Sequence, residues 1–329
     1  MGGLLGDCVV GNKRAILIGG IMQAIGMFIF CIFSKSALYA GLIFVAIGNG
    51  LFTANLLSGI GKLYLNKSKL MDAGYSILYV TVMIGAMMGQ FFLPIIAEAN
   101  YRLGFVTCGI LPLVSVFLVN KFYKEDVIQP PSVTGNSNNG TLTIILAILI
   151  LGLFWALYNV GNCAQISIES KLPDSSTTIR ISDFIFGILV GVGASITWSF
   201  VYMDWVKKWA WGFLMSGAAF GILLWVGETS PSLAILLPSY LMISVAEILI
   251  APILYAVLAK NSNPKYLATL VGVSFIPTML SNTIFSYIMA SADVDPFQLA
   301  WMASISFLVI GVIILVVSRS KKKVEPSAS

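Results

Sequence analysis

Histidine is absent from all 329 residues of this chain, and charge of either sign is scarce. Without histidine, the side chain that most easily changes protonation near neutral pH is unavailable, so any proton handling must run on carboxylates. The four cysteines, Cys8, Cys31, Cys108 and Cys163, show no paired spacing. With no histidine beside them, metal sites of the Cys/His type are excluded and a disulfide framework is not expected. No nucleophile–base set and no phosphate-binding loop is present, so the chain does not read as an enzyme and needs no cofactor. Charged residues make up only 10% of the chain, where a soluble domain carries roughly a quarter.

What is there instead is apolar surface: 58% of the residues are hydrophobic and the mean hydropathy is +0.93. Apolar runs of about 18 or more residues, separated by short polar breaks, recur to the C-terminus, the pattern of a polytopic helical membrane protein. The runs predict ten spans, at 15–34, 37–58, 73–95, 102–120, 141–162, 182–203, 209–227, 232–258, 266–291 and 297–318. The fold class is therefore all-α integral membrane. Met1 leads straight into a Gly-rich helix end rather than a basic n-region, so no cleavable signal peptide is expected.

The net charge of +5 is explained by where the cations fall. With the Asp7–Arg14 segment placed in the cytoplasm and sides alternating from there, all of the nineteen Lys and Arg lie inside except Lys35, Arg102, Lys171 and Arg180. That is the positive-inside bias; it puts both termini in the cytoplasm, as expected of a multi-pass protein of the cell (inner) membrane. Lys321–Lys323 then anchors the topology; no nucleic-acid partner is expected, and the lipid bilayer is the surface the chain meets.

The clearest internal boundary is 121–140, a polar segment holding Pro130-Pro131 and the run from Gly135 to Gly140. It reads as a cytoplasmic linker between an N-terminal bundle, 1–120, and a C-terminal six-helix bundle, 141–319, followed by a basic tail, 320–329.

Several stretches carry more specific chemistry. The first is Gly2-Gly3-Leu4-Leu5-Gly6-Asp7-Cys8-Val9-Val10-Gly11-Asn12-Lys13-Arg14, a small-residue helix end running into an acid, a glycine turn and a basic pair. The second, Ile47 to Asn55, places Gly48 and Gly50 where helices can approach closely. The third runs from Tyr75 through Tyr79 to Met87 and on to Gly89, and contains the GxxxG pair Gly85 and Gly89, read as helix packing. In the fifth predicted span, Phe154-Trp155-Ala156-Leu157-Tyr158-Asn159 sets two aromatics beside an amide. In the eighth, Glu247 lies in mid-span, five residues before Pro252. A bare carboxylate there costs about 3 kcal/mol on insertion scales, so it must be neutral, paired or facing a wet cavity. Pro252 would kink that helix, which suits a gating element.

Together these stretches resemble the proton-dependent oligopeptide transporter (POT/PTR) family of the major facilitator superfamily. The first meets every specified position of that family's first signature, and the third follows the second signature except that Met83 stands where Asn is specified. The resemblance implies a major facilitator fold of twelve helices, with about ten visible here and the first and most of the second apparently lacking. It implies secondary active transport of small peptides or amino acids by alternating access between two bundles, driven by a proton gradient. Glu247, Asn159, Trp155, Tyr158, Tyr79 and Asn282 would line the substrate and coupling site. Asp7, Lys13, Arg14 and Pro252 would gate it, Asp7 accepting from basic groups or from a neighbouring helix N-terminus. The family Lys is replaced by Thr53 and the family Glu by Asn159. Glycines such as Gly19, Gly20 and Gly26 would then be left facing lipid, inviting a partner that supplies the missing helix contacts. Two further readings stay open: a non-transporting remnant or regulatory membrane protein, and a permease for another small solute without the usual proton relay.

Overall fold

The computed structural model describes residues 1–123, 137–169, 176–229, 233–291 and 295–324. Most of the expected linker and the last five residues of the tail lie outside these. Every predicted span forms a helix. Helix α1 (Gly2–Leu5) passes through a π-helical turn (Gly6–Val10) into α2 (Asn12–Phe30). Then follow α3 (Lys35–Leu63), α4 (Met71–Ala99), α5 (Tyr101–Phe122), α6 (Ser137–Glu169) and α7 (Ser176–Phe200). The chain ends with α8 (Trp205–Thr229), α9 (Leu233–Asn261), α10 (Leu267–Ser291) and α11 (Pro296–Val324). Among the described residues, nine of these are long and apolar enough to cross a membrane. The remaining predicted span, 209–227, is α8, which opens on Lys207 and Lys208.

Local chemistry sets the ends. The expected loop before α2 shrinks to one residue, because Gly11, at φ 87°, turns the chain alone in a conformation glycine adopts without steric cost. Asp7 therefore sits in the π-helical turn, and Lys13 and Arg14 in the first turn of α2. That helix stops at Phe30, earlier than expected, where Phe33 takes φ 51°. Ser34 then caps α3 by accepting from the Ala37 amide at 3.1 Å, and Asn100 caps α5 by accepting from the Arg102 amide at 2.9 Å.

The helices form two compact units. The first comprises Met1–Ser68, Gly85–Ile144 and Leu258–Phe275. Its centre is α2, packed on α3 and α5. Without a hydrophobic force between helices in lipid, such contact depends on backbones that come close. Gly19 of α2 and Gly48 of α3 meet face to face: a Cβ on either would lie 2.7 Å from the other's carbonyl oxygen. Gly26 crosses the Gly41 carbonyl in the same way, at 2.8 Å, and Gly20 receives Val116 of α5. Gly19, Gly20 and Gly26 are thus buried inside the chain rather than turned to lipid. The GxxxG of α4 differs from expectation in the opposite sense. A Cβ at Gly85 would meet nothing within 4 Å, and one at Gly89 would meet only Leu93, at 3.8 Å.

Gly48→Val is therefore expected to wedge α2 from α3 and cost about 1–3 kcal/mol by overpacking. Gly50→Ala, whose added carbon has no neighbour within 4 Å, is the control. Thermal unfolding in detergent, followed for both variants, checks this.

The second unit comprises Lys69–Ile84, Ile145–Val257 and Ile276–Ser329. Here α8 packs on α11 through Leu308 set over Gly217 and Leu214 set over Gly311, with the Ser304 hydroxyl donating to the Gly217 carbonyl at 2.7 Å. Phe154 of α6 stands among Trp155, Tyr158, Phe213 and Phe307, and is fully buried.

Candidate functional site

Helix α9 is apolar for nearly its whole length, and Glu247 is its one acid. The helix runs unbroken through Pro238 and Pro252, and Pro252 is buried. Two tyrosines stand near the Glu247 carboxyl. Tyr79 of α4 donates its hydroxyl to Oε2. Tyr158 of α6 lies close to the same group. Asp183 of α7 lies within electrostatic reach of this carboxyl and of Glu169 at the end of α6. A half-buried acid held by a phenolic donor, with no cation bonded to it among the described contacts, can take up a proton or bind a positively charged group.

The aromatic and amide residues expected around Glu247 lie in the same unit. Trp155 stands edge-on to Tyr158, ring centres 5.2 Å apart. Asn159 donates its side-chain amide to Asn282 of α10, linking two helices by a neutral bond. Met83, in the position where the second signature specifies Asn, lies 3.6 Å from where a Cβ on Gly187 would sit.

A second polar assembly occupies the first unit. Asp7 is fully buried as a side chain, and its Oδ2 accepts from the Thr269 amide at 2.7 Å and the Thr269 hydroxyl at 2.9 Å. Thr269 is in the first turn of α10, where backbone N–H groups lack intrahelical partners and the helix dipole favours an anion. Lys62 approaches the other oxygen of Asp7 at 3.7 Å and donates to Asn12 at 3.0 Å. Asn12 in turn donates to Ser58 at 3.1 Å, and Asn55 donates to the Gly2 carbonyl at 3.1 Å. Lys13 bonds the Asn120 carbonyl at the end of α5, at 3.0 Å, while Arg14 is exposed.

Two features escaped the sequence reading. Lys208 counts among the expected cytoplasmic charges, yet it is fully buried. It bonds Asp72 of α4 at 2.6 Å and lies 3.8 Å from the centre of the Trp198 ring. The aromatic run around it, Trp205 and Trp209, was the available sign that this lysine is enclosed. The other is the cluster of Glu169, Tyr240 and Gln165, which the spacing of polar residues along α6 at 158, 165 and 169 could have suggested.

Known proteins resemble this chain in sequence and in fold. The model of the POT family matches residues 13–170. Dipeptide and tripeptide permease B of Edwardsiella piscicida is 31% identical over 169 residues, 49% of this chain and 34% of that protein. Dipeptide and tripeptide permease A of Pectobacterium carotovorum subsp. carotovorum is 32% identical over 169 residues, 49% of this chain and 33% of that protein. The chain spans about a third of the length of the curated relatives it matches, and those relatives are permeases, not enzymes. Among solved structures, the proton:xylose symporter XylE matches with a TM-score of 0.73 at 14% identity, covering 95% of this chain and 82% of that one. The POT family transporter PepTSo matches with a TM-score of 0.62 at 13% identity, covering 98% of this chain and 86% of that one. At such identity these likenesses speak for the fold alone. Residues 13–170, just under half of the chain, are thus similar to the POT family, and the helices adopt the fold of the solved transporters XylE and PepTSo.

Proposed function

We propose that this chain serves a secondary active transporter that carries small peptides or amino acids across the cell (inner) membrane, coupled to protons. Both termini face the cytoplasm in this reading, and the segments 1–120 and 141–319 act as the two bundles of an alternating-access cycle. The observation that carries it is Glu247, an intramembrane carboxyl held by Tyr79, with Tyr158 close by. Such a group is poised to exchange a proton for the ammonium of a peptide, since either neutralises it and both cannot occupy it together. Trp155 supplies an apolar wall beside it, and the relatives named as dipeptide and tripeptide permeases indicate the substrate class. Asp7 on the first turn of α10 supports the cytoplasmic gate, which opens when that contact breaks; Lys13, Arg14 and Pro252 act with it.

The neutral bond between Asn159 and Asn282 favours a second reading, a permease for another small solute that works without the usual relay. Uptake of a labelled dipeptide by the full-length protein in liposomes separates the two. Peptide accumulation under an inward proton gradient, lost in Glu247→Gln, is the expected result. Uptake of no di- or tripeptide, or accumulation unaffected by Glu247→Gln, would overturn the peptide reading.

A further inference from the structure

A cavity of about 290 Å3 opens beside the end of α2 and the start of α3, lined by Phe30, Phe33, Ser34, Lys35, Leu38 and Phe105. That volume is at the small end of ligand pockets and suits part of an apolar chain. Three rings build it: the centre of Phe105, on α5, lies 5.4 Å from Phe30 and 6.2 Å from Phe33. Phe33 and Leu38 are 56% and 50% exposed, so the apolar wall continues onto the surface of the helices. Phe33 also holds φ at 51°, an outlier for a bulky side chain. Backbone strain of that kind collects at ligand clamps and switch regions.

Two cations flank the rings. Lys35 lines the cavity, and the guanidinium carbon of Arg102 stands 5.5 Å from the centre of the Phe33 ring. The Cys31 thiol donates to the Arg102 carbonyl at 3.8 Å, keeping the start of α5 beside the end of α2. Both cations are exposed, and among the described residues neither forms an ion pair. Glu98, the acid nearest to Arg102 in sequence, is exposed and makes no ion pair there either. Lys35 and Arg102 each stand in the first turn of a helix, α3 and α5, where the dipole favours an anion and neither helix places an acid. In the orientation proposed above they are two of the four cations on the outer side, against the bias that keeps Lys and Arg inside. Two unneutralised cations beside an apolar cleft are the complement of an anionic headgroup above an acyl chain.

We infer that this cleft seats an anionic phospholipid, its phosphate between Lys35 and Arg102 and the upper part of one acyl chain along Phe30, Phe105 and Leu38. Lys35 offers a point charge, whereas Arg102 can clasp two phosphate oxygens at once. The strained Phe33 puts its ring under the guanidinium, which separates headgroup from chain. A zwitterionic phospholipid fits the apolar part equally well but brings an ammonium of its own, which the two cations repel. The site does not depend on which solute the protein carries, so it stands or falls apart from the transport reading.

The test is native mass spectrometry of the full-length protein, released from detergent after incubation with phosphatidylglycerol or with phosphatidylethanolamine of the same chains. Retention of phosphatidylglycerol at concentrations where phosphatidylethanolamine is lost is the expected result. Lys35→Gln and Arg102→Gln should each lower that retention about fivefold, the effect of one basic residue near an anionic membrane surface. Both side chains are exposed, so these variants should melt with the wild type. Phe33→Gly removes the ring and the strain together, and should lose the lipid without melting lower. Equal retention of the two lipids, or phosphatidylglycerol retention unchanged when Lys35→Gln and Arg102→Gln are combined, would overturn the inference. So would displacement of the lipid by inorganic phosphate at equal concentration, which would assign the cations to a free anion.

Discussion

Lys208→Met is expected to destabilise the protein by about 3–5 kcal/mol, the cost of removing one member of a buried ion pair. The volume of the side chain is nearly kept, so the loss is electrostatic. Asp72, 5% exposed, would lose a cation at 2.6 Å in a region where water cannot replace it, and the Trp198 ring would lose the charge over its face. Pairing the change with Asp72→Asn removes the stranded charge, so the double variant should recover much of the loss. Thermal melting in detergent of the two single variants and the double variant measures this as a coupling energy. A double variant as unstable as the sum of the singles would mean that the pair is not what holds α4 to α8.

Phe154→Ala is expected to cost at least about 3 kcal/mol, and the membrane changes the reason. Lipid is as apolar as the protein interior, so the transfer term that dominates in water largely falls away. What remains is the cavity, on the order of 100 Å3 at about 24 cal/mol per Å3, plus ring contacts worth about 0.5–1.5 kcal/mol each. Phe154 makes such contacts with Trp155, Tyr158, Phe213 and Phe307. Because Tyr158 is one of its neighbours and also lies near Glu247, the change should also loosen the site. Phe154→Leu leaves a smaller void and should lose less. Unfolding measured alongside substrate affinity separates the two effects; Phe154→Ala melting no lower than Phe154→Leu would rule out the cavity argument.

The helices were legible because a run of apolar residues long enough to span a bilayer has few other solutions. Glu247 was legible for a related reason, since an acid alone in such a run must have a purpose or a partner. The partners were not legible. Tyr79 comes from 168 residues away and Thr269 meets Asp7 across 262, and no local pattern encodes a contact of that range. Glycine spacing misled in both directions. Gly85 and Gly89 have the motif without a neighbouring helix against them, whereas Gly19 and Gly48 interlock without sharing one helix. Lys208 illustrates a different limit: a cation near a helix end satisfies a topology rule whether it faces water or is enclosed, and only packing tells the two apart.

The contact between Asp7 and α10 is held by bonds that respond little to the surrounding medium. Its two short bonds come from an uncharged amide and an uncharged hydroxyl, and the carboxylate they hold has no exposed side-chain surface. Dissolved ions weaken attractions between exposed charges over a Debye length, about 8 Å at physiological strength, but reach a buried bond to a helix end far less. Lys62, at 3.7 Å and 21% exposed, is the part of the assembly that salt can touch. If the contact gates as proposed above, it holds almost equally well in dilute buffer and in brine, leaving its release to mechanical strain on the helices rather than to the ionic composition of the medium.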